Sequence, residues 1–197
     1  MAPGRIRDGV ALTNALGAGA PTGVEPGPAQ TAPEGAVEPV RDGAVGPFSV
    51  GGVDFREITD ADVEQVVVLW EACGLARPWN DPHLDVADAR TAPSSTILVA
   101  HAGAPDAPAS GAGAVVATAM AGFDGHRGWI YYVAVAPDLQ GSGLGRDAVV
   151  AAEAWLASQG VRKVRLMVRT TNTQVLGFYE RLGYADAECT VLGRDLL

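Results

Sequence analysis

Val53-Asp54-Phe55-Arg56-Glu57-Ile58 alternates apolar and polar side chains, the period-two pattern of a half-buried strand. The period then lengthens. Val63, Val66, Val67 and Trp70 recur at helical spacing behind Thr59 and Asp60, either of which suits an N-cap, and Gly74 supplies a stop. Pro78 and Pro82 punctuate the next stretch, with a short second helix expected near Leu84 to Ala89. Thr96 to Ala100 reads as a strand, Gly103 to Gly113 as a loop, and Ala114 to Ala121 and Trp129 to Val135 as two strands joined by a glycine-bounded turn. A helix is expected from about Leu144 to Ser158, ending at Gly160, then a strand over Val164 to Val168. A last helix over Thr173 to Leu182 stops at Gly183, and a final strand is expected in Cys189 to Leu196. No repeat recurs at solenoid spacing. Consecutive strands in the middle and helical crossovers later imply an α/β chain with a mixed sheet, α+β in its segregated order, and helices on its faces.

The first fifty residues interrupt this regularity. They hold seven of the 13 prolines, with Gly and Ala filling much of the rest. So few large side chains cannot offset the entropy of ordering the chain. Residues 1 to about 50 are therefore expected to be a disordered tail, or to lie upstream of a mis-assigned start, and the working domain spans 51–197. The formal charge of −9, from 23 acidic and 14 basic residues, argues against a nucleic-acid binder, which needs cations for phosphates. It suits a small cationic substrate. The two cysteines, Cys73 and Cys189, form no CxxC pair or His/Cys cluster, so no zinc site is implied. No apolar run reaches the roughly 18 residues of a membrane span, and Asn14, Gly17 and Gly19 break up the apolar residues that a signal peptide would need. The expectation is a cytoplasmic protein.

Chemistry concentrates between the fourth strand and the long helix, in Val133-Ala134-Val135-Ala136-Pro137-Asp138-Leu139-Gln140-Gly141-Ser142-Gly143-Leu144-Gly145-Arg146. Three glycines allow a tight turn and close approach to the main chain. The first amides of the following helix lack intrahelical partners and carry partial positive charge, so an anion such as a pyrophosphate is stabilised there, with Arg146 adding charge from the first turn. The plainer reading is only a tight turn. Gly143-Leu144-Gly145-Arg146-Asp147-Ala148 also fits GxGxxA, which keeps a nicotinamide-dependent oxidoreductase in view, although that motif belongs in the first strand–helix unit and here comes late.

Gln140-x-x-Gly143-x-Gly145 resembles the Q/R-x-x-G-x-G/A loop of the GNAT (GCN5-related) N-acetyltransferases, and Asn172 followed by Gly177-Phe178-Tyr179-Glu180-Arg181-Leu182-Gly183-Tyr184 resembles that family's N…FYEKLGF segment. The resemblance covers residues 53–197. Arg77-Pro78-Trp79-Asn80-Asp81-Pro82 and Asp124-Gly125-His126-Arg127-Gly128 are similar to the YpeA-like branch. It implies a central sheet of six or seven strands, a splayed strand pair and about four helices. It implies acetyl-CoA as co-substrate, with Val133 and Val135 pairing with the pantetheine arm through their backbones. The amides of Gln140, Gly141, Ser142, Gly143, Leu144, Gly145 and Arg146 would hold the pyrophosphate, and Asn172 would line the far side; read alone, Asn172 is equally a helix start. Tyr179 is implied as the acid that protonates the leaving thiolate; read alone, it is a core aromatic, because Leu176, Tyr179 and Leu182 fall at helical spacing.

Some family members carry a basic glutamate on the strand before the loop, where this chain has Trp129-Ile130-Tyr131-Tyr132. Asp124, His126 or Tyr132 could act through water instead, or the amine could arrive neutral; Asp124 and His126 also suit a plain polar turn. Asp81, His83, Asp85 and Asp88 invite a metal, but acids at a helix start are the simpler explanation, and no metal is expected. Trp79 and Asn80 are acceptor-contact candidates from their place in the fold the resemblance implies. The acceptor is expected to be a small-molecule or peptide amine, with a homodimer common in the family. A CoA-binding sensor without chemistry is the rival that the missing glutamate suggests.

Overall fold

The computed structural model describes residues 46–103 and 113–194. Its strands are β1 (Phe48–Val50), β2 (Val53–Glu57), β3 (Ser95–His101), β4 (Val115–Phe123), β5 (Gly128–Val135) and β6 (Val164–Leu166), and its helices α1 (Val63–Ala72), α2 (Pro82–Thr91), α3 (Leu144–Ser158) and α4 (Thr173–Arg181). One six-stranded sheet follows chain order, β1-β2-β3-β4-β5-β6. All pairs are antiparallel except β5–β6, which is parallel because α3 forms the crossover between them.

β3 shows why the sheet has helices on both faces. Ile97 and Val99 join Val66, Val67, Trp70 and Val86 of α1 and α2, while Leu98 and Ala100 join Val149, Ala152 and Trp155 of α3 and Val175 and Tyr179 of α4. Both faces of the strand are thus buried. On the α3 side the sheet presents Ala117, Ala119 and Ala121 to Ala148, Ala151 and Ala152, all buried. Small side chains on both surfaces bring helix and sheet close together.

Two expectations need correction. The segment taken as tail up to residue 50 contains β1, whose residues Phe48, Ser49 and Val50 pair with Phe55, Asp54 and Val53. The turn is Gly51-Gly52 with φ of +60° and +84°, the double positive φ of a two-residue hairpin. The rest of the tail, residues 1–45, lies outside the described residues, as does most of the loop expected from Gly103 to Gly113. At the other end, the strand expected in Cys189 to Leu196 is absent over its described part, Cys189 to Arg194. Asp186 caps Glu188 N–H at 2.8 Å and Glu188 adopts φ +53°, so the chain turns where it would have to extend.

Asp62 anchors the start of α1. It is 1% exposed and accepts from Arg56 Nη1 at 2.7 Å and Nη2 at 2.9 Å, from Thr59 N–H at 2.8 Å and from Thr59 Oγ1 at 2.7 Å, with His101 Nε2 2.8 Å away. Burial alone would raise its carboxyl, but the bonds from Arg56 and Thr59 outweigh burial and hold it below the usual carboxylate range. A depressed carboxylate contributes stability above its unfolded pKa of about 3.9 and loses it as pH falls through the folded value. Asp62→Asn is expected to cost about 3 kcal/mol in urea unfolding at neutral pH. The difference from wild type should shrink progressively below pH ~4, where wild type loses the same contribution.

Candidate active site

β5 carries the site, and its register against β4 is irregular. The pairing shifts between Thr118 and Met120, and Tyr132 takes φ +48° opposite that shift, a bulge in β5. The bulge is clamped from α1. The Trp70 ring stacks on Tyr132 at 4.0 Å between centroids, Trp70 Nε1 donates to Thr118 Oγ1 at 3.0 Å, and Thr118 Oγ1 donates to the Tyr132 carbonyl at 3.1 Å. After the bulge, Ala136 N–H donates to Val116 O at 2.8 Å. By strand alternation Ala134 also faces β4, so Val133 and Val135 turn their backbone groups to the opposite side.

That opposite side is open. The β5–β6 ladder runs from Gly128↔Val164 to Ile130↔Leu166, where β6 ends, while β5 continues to Val135. This is the splayed pair. The Val135 carbonyl is already engaged, accepting from Gln140 Nε2 at 3.2 Å and from Cys73 Sγ at 3.2 Å. Burial pushes the Cys73 thiol up, against the opposing effect of that bond, so it keeps the proton it donates. Gln140 therefore uses its side chain to tie the loop to β5, leaving its main-chain amide for any ligand.

The loop after β5 begins with a 3-10 turn at Pro137–Leu139 and reaches α3 through Gly141 and Gly143, with φ of +85° and +103°. A Cβ built at either would meet nothing within 4 Å, so both face open space. Gly145 differs. Its Cβ would lie 3.6 Å from Val135 Cγ2 and 3.7 Å from Phe178 Cζ, at the junction of β5, α3 and α4. Gly143 caps α3 with no side-chain bond, and Asp147 N–H to Gly143 O at 3.1 Å opens the ladder. The amides of Leu144, Gly145 and Arg146 precede it, and Leu144 N–H has only Ser142 Oγ at 3.5 Å. The Arg146 side chain is exposed.

α4 brings in the phenol. Asn172 caps it, accepting from Val175 N–H at 3.3 Å, so the helix-start role expected for this residue is present. Tyr179 is 2% exposed in the same buried cluster as Val133 and Val175, with Phe178 and Tyr184 edge-on at 4.9 and 5.5 Å. Its hydroxyl is buried without a hydrogen-bond partner among the described residues. Burial pushes its pKa far above the usual phenol value, so it holds its proton.

The remaining candidates divide. Tyr132 donates its hydroxyl to Asp85 Oδ2 on α2, 47 residues away in sequence, and Asn80 Nδ2 lies 3.5 Å from the same oxygen. Burial and then the Asp85 bond push Tyr132 up to about 12, against the opposing effect of the Asn80 side chain. Trp79, 69% exposed, stands beside Asn80. Asp124 and His126 are elsewhere, in the β4–β5 turn at the other end of β5, roughly 20 Å along the strand from Val133. Asp124 accepts from Arg127 N–H at 2.6 Å, His126 N–H at 2.8 Å and Trp129 Nε1 at 2.8 Å, which lowers its carboxyl to about 2. The turn thus engages both oxygens of Asp124, as the polar-turn reading of Asp124 and His126 expects. Asp81 accepts from His83 N–H at 2.9 Å as the N-cap of α2, and no group of three His, Cys, Asp or Glu able to hold a metal occurs among the described residues. No helix among them is long and apolar enough to cross a membrane.

The site is thus a six-stranded mixed sheet opened beside a bulged strand, with helix-start amides at the mouth of the opening. Residues 63–184, more than half of the chain, match the acetyltransferase (GNAT) family model. An acetyltransferase of Pectobacterium atrosepticum is 37% identical over 145 residues, covering 74% of this chain and 96% of the relative, and one of Yersinia enterocolitica matches to the same extent. Among solved structures, AAC(6')-Iy in complex with a CoA bisubstrate analogue superposes with a TM-score of 0.60 at 18% identity, covering 74% of this chain and 99% of that one. An aminoglycoside acetyltransferase from an uncultured soil sample, in complex with sisomicin, gives 0.57 at 15% identity, covering 74% and 97%. The chain belongs to the GNAT acetyltransferase family and is an enzyme of the N-acetyltransferase class. That membership removes the oxidoreductase reading of the glycine loop.

Proposed function

We propose that this chain moves an acetyl group from acetyl-CoA to a primary amine by direct attack. The observation that carries the reading is the Tyr179 hydroxyl, buried and unpartnered among the described residues, in the cluster that contains Val133. A buried hydroxyl without a partner costs about 1–3 kcal/mol, which a ligand atom would recover. The residues present fit acetyl-CoA. Gly141 and Gly143 leave open space where the phosphates need it, the amides of Leu144, Gly145 and Arg146 supply donors, and the unladdered edge of β5 offers Val133 and the Val135 N–H to an extended arm. Asn172 would border that arm at the start of α4.

Bound there, acetyl-CoA supplies the acetyl thioester. Val133 N–H, held just past the bulge, donates to the carbonyl oxygen as charge develops on it. Tyr179 would give its proton to the departing thiolate and be re-protonated from solvent, while the attacking nitrogen would release its surplus proton to solvent as the amide forms. Trp79, Asn80 and Tyr132 border the acceptor. An aminoglycoside is the acceptor for the solved neighbours so named, and for this chain the proposal extends to the primary-amine class, small or peptidic.

The test is a thiol-release assay with acetyl-CoA over spermidine, an aminoglycoside and peptides with free amino termini, after checking the purified protein for retained CoA. Amine-dependent release supports the reading. Tight CoA binding with no release for any member of that panel would overturn the proposed primary-amine acceptor.

A further inference from the structure

We propose that Asp85 is a positioning residue for the acceptor: it commits the Tyr132 hydroxyl proton to itself, so that the Tyr132 oxygen faces the site only as an acceptor for the N–H of the incoming amine. The inference rests on the transferase reading above and gives it a group that the sequence pattern conceals.

A phenol has one proton to donate and lone pairs to accept with. Tyr132 Oη donates that proton to Asp85 Oδ2, so it has none left for a ligand. Its ring cannot easily swing away, because Trp70 stacks on it and Thr118 holds its carbonyl. It also stands one residue before Val133, at the bulge where the strand turns its backbone. The fixed acceptor thus adjoins the proposed carbonyl position. Asp85 is partly buried, belongs to none of the described ion pairs, and has no described partner at Oδ1. As the amine nitrogen bonds to the carbonyl carbon it acquires positive charge. A phenol polarised by a carboxylate stabilises that charge more than it stabilises the neutral amine, which accelerates the step. The simpler role of Asp85, an acid in the first turn of α2 favoured by the helix dipole, predicts an effect on stability alone.

The experiment compares wild type, Asp85→Asn, Asp85→Glu, Tyr132→Phe and the double variant Asp85→Asn/Tyr132→Phe in the thiol-release assay with the amine that wild type uses best. Asparagine keeps the shape but can donate to Tyr132 Oη, turning the hydroxyl into a donor toward the amine. We expect Asp85→Asn to lower kcat about tenfold to a hundredfold while the KM for acetyl-CoA changes less than about twofold. The double variant should be no slower than Tyr132→Phe, because both substitutions remove one device. Asp85→Glu should recover part of the loss. Unchanged kcat in Asp85→Asn, or losses that multiply in the double variant, would overturn the proposal. Absence of amine-dependent release by wild type would overturn the transferase reading, and this role with it.

Discussion

Gly143→Asp is expected to abolish measurable acetyl-CoA binding while leaving the protein folded. A side chain at Gly143 meets no atom within 4 Å, so bulk alone does not disturb the packing. The positive φ of +103° imposes some strain, the same for any side chain placed there. What changes decisively is the electrostatics: a fixed carboxylate would sit where the diphosphate charge belongs, competing for the same amides. Calorimetry should show affinity lower by at least about a hundredfold, equivalent to about 2.7 kcal/mol. Gly143→Ala separates the contributions, since it carries the strain without the charge and should bind within about tenfold of wild type. Full affinity in Gly143→Asp would place the phosphates elsewhere.

Tyr179→Phe should move stability and activity in opposite directions. The hydroxyl is buried without a described partner, so removing it should stabilise the ligand-free protein by about 1 kcal/mol, while the ring contacts with Phe178 and Tyr184 persist. Turnover should fall about a hundredfold, because the thiolate would leave without its proton donor. Cofactor affinity should change little, since the phosphate anchor at the head of α3 is untouched. A purely structural Tyr179 would instead give a less stable or unaltered protein with normal turnover. Thermal unfolding and kcat measured on one preparation distinguish the two outcomes.

Much of this molecule is visible in its residues where local chemistry decides the outcome. The limits of α3 follow from Gly143 before it and Gly160 after it, at φ +76°, with an apolar stripe between them. The anion loop is equally local, because glycine spacing and a helix start are contiguous. β1 was legible too: Gly51-Gly52 between two alternating runs signals a hairpin, but the Pro- and Ala-rich composition up to that point suggested otherwise. The bulge at Tyr132 has no such signature. Trp129 to Val135 is an unbroken strand-like run, and a tyrosine at positive φ is imposed by Trp70 and Thr118, which are distant in sequence. The Asp85–Tyr132 bond spans 47 residues, and Asp85 alone looks like an ordinary first-turn acid. Sequence spacing reports periodicity within an element; it does not report which elements meet.

The order of the sheet has a consequence for how the protein is made. Every strand lies beside the one synthesised just before it, and four of the five pairings are antiparallel. Such contacts close short loops, so β1 to β4 can zip together while the ribosome is still producing the remainder. The single parallel pairing must wait for α3 to emerge and dock. Catalytic competence is therefore acquired late, once α4 has docked its buried Val175 and Tyr179 into the core.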